Sequence, residues 1–171
     1  EEKTALMIAI ENQNLKIVQL LLSHKNINVN EIYLNKTMYK KHIIEKNALI
    51  FAIESENIEI VQLILSHKNI DVNAKFKVFS QIAKYSATVT FIDKVGIQKE
   101  KTPLYIAVEK NNAKIVQLLL LNPKINVNSR LLLIDENKIV ISENIKYRIT
   151  QKEYKTEFIL AIEKGIPQIV Q

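Results

Sequence analysis

Apolar residues recur along this chain at helical spacing. Leu6, Ala9 and Ile10 fall at i, i+3 and i+4. After the polar stretch Asn12-Gln13-Asn14, residues Ile17, Val18, Leu21 and Leu22 repeat that spacing, with Lys16, Gln19 and Ser23 on the other face. The pattern predicts two amphipathic helices of roughly two turns each, separated by a turn. Helices that short are marginal alone in water, so each must bury its stripe against something else.

The same pattern returns three times. Thr4-Ala-Leu-Met-Ile-Ala-Ile-Glu leads to Lys16-Ile-Val-Gln-Leu-Leu-Leu and ends at Asn30, and Asn47-Ala-Leu-Ile-Phe-Ala-Ile-Glu leads to Glu59-Ile-Val-Gln-Leu-Ile-Leu and ends at Asn73. Thr102-Pro-Leu-Tyr-Ile-Ala-Val-Glu runs to Asn128, and Thr156-Glu-Phe-Ile-Leu-Ala-Ile-Glu opens a fourth copy that stops at Gln171. The repeat cores are therefore 4–30, 47–73, 102–128 and 156–171, in gapless register. Thr4, Asn47, Thr102 and Thr156 stand where a helix N-cap accepts from an orphan N–H, and Pro103 takes the first helical position, where its missing N–H costs nothing. Helix pairs repeated in this way stack into a solenoid, each copy completing the core of its neighbour.

Thr102-Pro103-Leu104-Tyr105-Ile106-Ala107, followed by Ile115-Val116, Leu118-Leu119-Leu120 and Asn126-Val127-Asn128, closely resembles the ankyrin-repeat pattern. The resemblance implies a mainly α repeat solenoid, a stack of helix-turn-helix units with β-hairpin fingers between them. The family's usual histidine after Thr-Pro-Leu is Met7, Ile50, Tyr105 and Ile159 here. Its turn glycine is matched by Asn14, Asn57 and Asn112, with Gly165 one residue earlier in the fourth copy. Asparagine tolerates a left-handed backbone better than most residues, so the turn is expected to survive.

Ankyrin repeats usually recur every 33 residues or so. Here the surplus lies in the connections 31–46, 74–101 and 129–155. Lys75-Phe76-Lys77-Val78-Phe79 and Thr88-Val89-Thr90-Phe91-Ile92-Asp93 alternate like strands. Leu131-Leu132-Leu133-Ile134 and Ile139-Val140-Ile141 flank Asp135-Glu136-Asn137-Lys138, which reads as a four-residue hairpin loop, and Tyr147-Arg148-Ile149-Thr150 adds a third strand. The first connection, from Ile32-Tyr33-Leu34 to Met38-Tyr39, is shorter. We expect enlarged fingers whose neighbouring strands join into one sheet, with Val78, Val89, Phe91, Leu132, Val140 and Ile149 buried together. The competing reading is insertion without a task, because long surface loops cost little.

Charge sharpens this picture. The chain is +6 overall, yet 31–46 carries four basic against two acidic residues, 74–101 six against two, and 129–155 six against four. The connections thus hold +8 and the helix pairs −2, which would steer an acidic surface toward the fingers. Lysines on exposed strands also serve simply to discourage edge pairing. On the helix pairs, Lys3, Lys46, Lys101 and Lys155 precede each first helix, and Glu11, Glu54, Glu109 and Glu163 stand near its end. The resemblance implies that these columns, with Asn12, Ser55, Lys110 and Lys164, line a concave binding face. The alternative is that lysines and glutamates of adjacent repeats pair with each other and merely solvate that face.

Catalytic chemistry finds no foothold in the residues. The chain has no cysteine and two glycines, Gly96 and Gly165, leaving no thiolate site and no glycine-rich phosphate loop. His24 and His67 recur just past each second helix, where the helix dipole favours a cation, and His42 lies in the first connection; none stands at metal-ligand spacing. The repeated glutamates occupy equivalent surroundings, whereas paired acid–base catalysis needs unlike ones. Neither an enzyme, a metal nor a cofactor is expected. No run approaches the roughly 18–20 apolar residues of a membrane span. The expectation is an intracellular (cytoplasmic or nuclear) segment of a larger repeat protein that binds another protein with an acidic surface through its concave face and fingers. The alternative is nucleic-acid or other polyanion binding through the fingers, with Phe76, Phe79, Tyr85 and Tyr147 among Lys75, Lys77, Lys84, Arg130 and Arg148.

Overall fold

The computed structural model describes residues 2–37, 42–84, 93–142, 145–156 and 165. Among the described residues, three helix pairs alternate with three hairpins. The pairs are α1 (Ala5–Glu11) with α2 (Leu15–Leu22), α3 (Ala48–Ser55) with α4 (Ile58–Ser66), and α5 (Pro103–Glu109) with α6 (Ala113–Leu120). Between and after them lie β1 (Tyr33–Thr37), β2 (His42–Lys46), β3 (Phe76–Lys84), β4 (Asp93–Lys101), β5 (Arg130–Ser142) and β6 (Ile145–Thr156). Apart from Gly165, the fourth copy lies outside the described residues.

Each first helix begins on the expected cap. Thr4 Oγ1 accepts from the Met7 N–H at 3.3 Å, Asn47 Oδ1 from Ile50 at 3.1 Å, and Thr102 Oγ1 from Tyr105 at 3.1 Å. Each second helix is capped in turn by Asn14, Asn57 and Asn112, whose side chains accept from Ile17, Ile60 and Ile115 at 3.2 Å. These asparagines are therefore not the left-handed turn residues that family likeness assigns them. The positive φ falls one residue earlier, at Gln13 (51°), Glu56 (57°) and Asn111 (57°), and at Gly165 (65°) in the fourth copy. Gly165 is thus in step with the others. At Gln13 and Asn111 the left-handed residue closes a paired motif. Asn14 N–H donates to the Ala9 carbonyl and Gln13 N–H to Ile10, while Asn112 donates to Ala107 and Asn111 to Val108.

The apolar stripes meet between repeats. α1 packs on α3 and α2 on α4, and the same pairing carries α3 onto α5 and α4 onto α6. Ala9, Ala52 and Ala107 recur at one place, all buried, so small side chains sit where the first helices stack. Ile10, Ile53 and Val108 fill the next place, and Val18, Val61 and Val116 the matching one on the second helices. Burying each such aliphatic side chain contributes about 1.5–3 kcal/mol, which a two-turn helix cannot obtain alone.

The hairpins join into one antiparallel sheet of order β1-β2-β3-β4-β5-β6, so the fingers do share a sheet. Ile43 stands opposite Phe79 across β2 and β3, and Lys99 opposite Leu133 across β4 and β5. Phe76 and Leu131 are buried at the roots of the second and third fingers, whereas Val78 is half-buried. Val89 and Phe91 lie outside the described residues, and Leu132, Val140 and Ile149 lie in strands whose side chains are not described there, so their expected burial is not among the described features. One strand assignment needs correction. Residues 135–138 are not a hairpin loop: β5 runs from Arg130 through Ser142 with one irregularity between Ile134 and Glu136. A polar run continues a strand when a partner ladder flanks it on both sides, and β6 does so here. In the second finger the return strand is described over Asp93–Lys101, and the expected strand Thr88–Asp93 lies, apart from Asp93, outside the described residues.

Two substitutions test this reading of the caps. Gln13→Gly removes the cost of a side chain in a left-handed conformation, about 1–2 kcal/mol before the added freedom of glycine in the unfolded chain is subtracted. Urea unfolding should therefore show a net gain of about 0.5–1 kcal/mol, and a loss would mean that the turn does not hold that conformation. Asn47 is buried, and its Nδ2 has no hydrogen-bond partner among the described residues. Asn47→Thr keeps the capping oxygen, as Thr102 does, and removes the stranded donor. It should stabilise by about 1 kcal/mol, whereas Asn47→Ala should destabilise by a similar amount.

Candidate functional site

The first helices and finger roots bring the recurring lysines and glutamates together. Lys46 and Lys101 end β2 and β4, Lys3 stands just before α1, and each glutamate lies eight residues on, near the end of the helix. The extended lysine side chain spans that gap. Lys3 Nζ donates to Glu11 at 2.6 Å, Lys46 to Glu54 at 2.7 Å and Lys101 to Glu109 at 2.5 Å. The pairing is therefore within each repeat, not between adjacent repeats as matching columns suggested. One further pair does cross repeats: Lys110 donates to Glu56 at 2.9 Å. Glu56 reaches it from the left-handed turn position.

Aromatic rings, which sequence reasoning left out of the site, underlie the lysines. Lys3 Nζ lies 5.7 Å from the Tyr33 ring centre and 5.6 Å from that of Phe51, Lys46 lies 5.6 Å from Phe51, and Lys101 lies 5.6 Å from Tyr105. Tyr33 and Phe51 are themselves tilted neighbours, with centroids 6.0 Å apart. A cation over a ring face is attracted by about 0.5–1 kcal/mol at such partly exposed positions. Each lysine is thus held from beneath by a ring and from the side by a carboxylate. The glutamates are the outer members, 35–43% exposed against 15–32% for the lysines. The signal for these pairs was the constant spacing of eight residues in every copy.

Other candidate residues are placed as follows. Asn12 and Lys110 are the exposed C-caps of α1 and α5, whereas Ser55 turns inward and donates to the Ala52 carbonyl at 2.8 Å. Ser55 is therefore tied to its own helix. Lys155, Glu163 and Lys164 fall outside the residues whose side chains are described. In the second finger, Lys75 Nζ donates to the Arg130 carbonyl at 2.8 Å and faces Glu100 at 3.4 Å, bridging two fingers.

His24 and His67 each hold a backbone N–H of the loop that follows their helix. His24 Nδ1 accepts from the Asn26 N–H and His67 Nδ1 from Asn69, both at 3.3 Å. Each ring thereby closes a turn just past its second helix. Asn122 Oδ1 does the same for Lys124 at 3.0 Å in the third repeat. Among the described residues, no group of three His, Cys, Asp or Glu side chains is placed to hold a metal ion, and no helix is long and apolar enough to cross a membrane. The shallow grooves lined by Gln19, Leu63 and Ser66 are open to solvent.

Such partly exposed ion pairs contribute little to stability, about 0–1 kcal/mol each. Lys101→Met should therefore leave the protein folded and cost no more than about 1 kcal/mol in urea unfolding. A loss above about 2 kcal/mol would mark Lys101 as part of the core instead of a presented surface.

Comparison with known families gives two matches: a model described as ankyrin repeats in three copies covers residues 1–76, and a single ankyrin-repeat model covers residues 99–130. Together these span more than half of the chain. No curated protein matches it.

Proposed function

Because the chain belongs to the ankyrin-repeat family, whose members are generally protein–protein interaction modules, we propose that it binds a polypeptide partner along the face formed by its first helices and finger roots. The observation that carries this reading is the repeated arrangement of ring, lysine and outward glutamate at Lys3/Glu11, Lys46/Glu54 and Lys101/Glu109. It presents three like polar groups in a row on a rigid stack. Groups already held in place lose little freedom on binding, so their contacts are not offset by ordering. The role is one of binding, without catalysis.

This arrangement also divides the surface by charge. The lysines of the helix face are neutralised by their own glutamates, so the positive excess open to an acidic partner lies on the fingers. An acidic protein would be drawn to the sheet first and seated along the helix face second. Rim charges of this kind govern the association rate and its salt dependence more than the final affinity.

The test is affinity capture with the wild-type chain and with a variant carrying Glu11→Gln, Glu54→Gln and Glu109→Gln. These changes keep shape and remove the outward charges. We expect at least one retained protein to be lost or reduced about tenfold, equivalent to roughly 1.4 kcal/mol. Capture of the same proteins in the same amounts by both chains would contradict the assignment of this face.

A further inference from the structure

Glu11, Glu54 and Glu109 are each the outermost charge of their repeat, with the paired lysine recessed beneath. Each pair is neutral as a whole, yet a chain approaching the helix face meets a negative group first at every repeat. Two of the three carboxylates also keep an oxygen free. Lys3 donates to both oxygens of Glu11, whereas Lys46 and Lys101 donate only to Oε2 of Glu54 and Glu109. Among the described residues, nothing donates to either Oε1. The face thus presents acceptors and asks for cationic donors.

The stack sets the spacing of these acceptors. α1 packs directly on α3, and α3 on α5. Helices in such contact lie about 8–10 Å apart, so the glutamates, at one place in each first helix, recur at roughly that pitch. A β-strand returns a side chain to the same side after two residues, about 6.6 Å, or after four, about 13 Å, and neither fits. An α-helix does so after seven residues, about 10.5 Å, which exceeds the range. A polyproline II helix does so after three residues, about 9.3 Å, which lies within it.

On the reading that this face binds a polypeptide, we propose that the seated segment is a polyproline II stretch of a protein partner with an arginine or lysine at every third residue. Successive cations face Glu11, Glu54 and Glu109. Arginine suits the site best, because its planar guanidinium offers a carboxylate two N–H groups where a lysine offers a point charge. The fingers constrain the rest of the segment. They hold the positive excess of the chain and would repel a continuous basic run, so the residues between the cations are uncharged or acidic. Proline at those places fixes φ and preforms the helix, which leaves little freedom to lose on binding.

The test is calorimetric titration of the whole chain at low salt with three synthetic peptides of equal charge. The first has arginine at every third place and proline elsewhere. The second has the same composition with arginine at every second place. The third is an alanine-rich helix with arginine at every seventh place. The first should bind about tenfold more tightly than either of the others, and a chain carrying Glu11→Gln, Glu54→Gln and Glu109→Gln should bind all three alike. Equal affinity of the wild-type chain for the first two peptides would overturn the proposal, as would tighter binding of the helix or no binding of the first. A preference kept by the triple variant would also overturn it, by placing the cations elsewhere. Should the triple variant lose its helical spectrum, Glu54→Gln alone decides: it should narrow the difference to about threefold, and an undiminished preference would contradict the assignment. Failure of these peptide preferences while affinity capture still depends on the glutamates would remove only the partner class. Capture indifferent to the glutamates would instead remove the binding face itself.

Discussion

None of the described helices in this protein can hold itself. The six described helices are seven to nine residues long, against the roughly 12–15 that even favourable sequences need for marginal stability in water. Burial between neighbouring repeats is therefore the term on which the rest depends. Ala9, Ala52 and Ala107 lie in the stacked first helices, and Val18, Val61 and Val116 carry the core through the second. Caps, turns and ion pairs then choose among conformations that stacking has already made worthwhile. Asn47 shows the order of priority: its cap is kept although its Nδ2 is buried without a partner among the described residues.

The same constraint shapes the surface. Because each unit is oriented by its neighbours, a side chain at a given place in the repeat reappears one repeat further along, and the glutamates form a row without any loop to position them. The asparagine clasp and the shared sheet extend the coupling beyond the helices. Asn30 and Asn73 tie successive loops, and Lys75 ties the second finger to the third through the Arg130 carbonyl. The fingers thereby become part of the stack's order instead of independent insertions.

What could be read from the sequence follows from which interactions are local. Helix pairs, their N-caps and the apolar stripes all rest on spacings of three or four residues, and these were legible. The fingers were legible as strands, but the extent of β5 was not. Residues 135–138 have the composition of a turn, and the neighbouring strand that keeps them in the ladder lies more than ten residues away. The left-handed residue was misassigned because family likeness pointed to Asn14, Asn57 and Asn112, whereas Gly165 marked the true place. In the candidate site the lysine and glutamate columns were visible, with their fixed separation of eight residues. The rings of Tyr33, Phe51 and Tyr105 and the Lys110–Glu56 pair depend on contacts between elements, and no repeated spacing announced them.

The central claim is that a repeat is folded by its neighbours and not by itself. Circular dichroism of a peptide comprising residues 47–73, which contains both helices and both caps of the second repeat, tests it directly. The account predicts an unstructured spectrum in water, with at most a small helical signal near 222 nm. A peptide that showed most of the helix content of its segment in the intact chain would contradict it, and stacking would then be a consequence of helix formation instead of its cause.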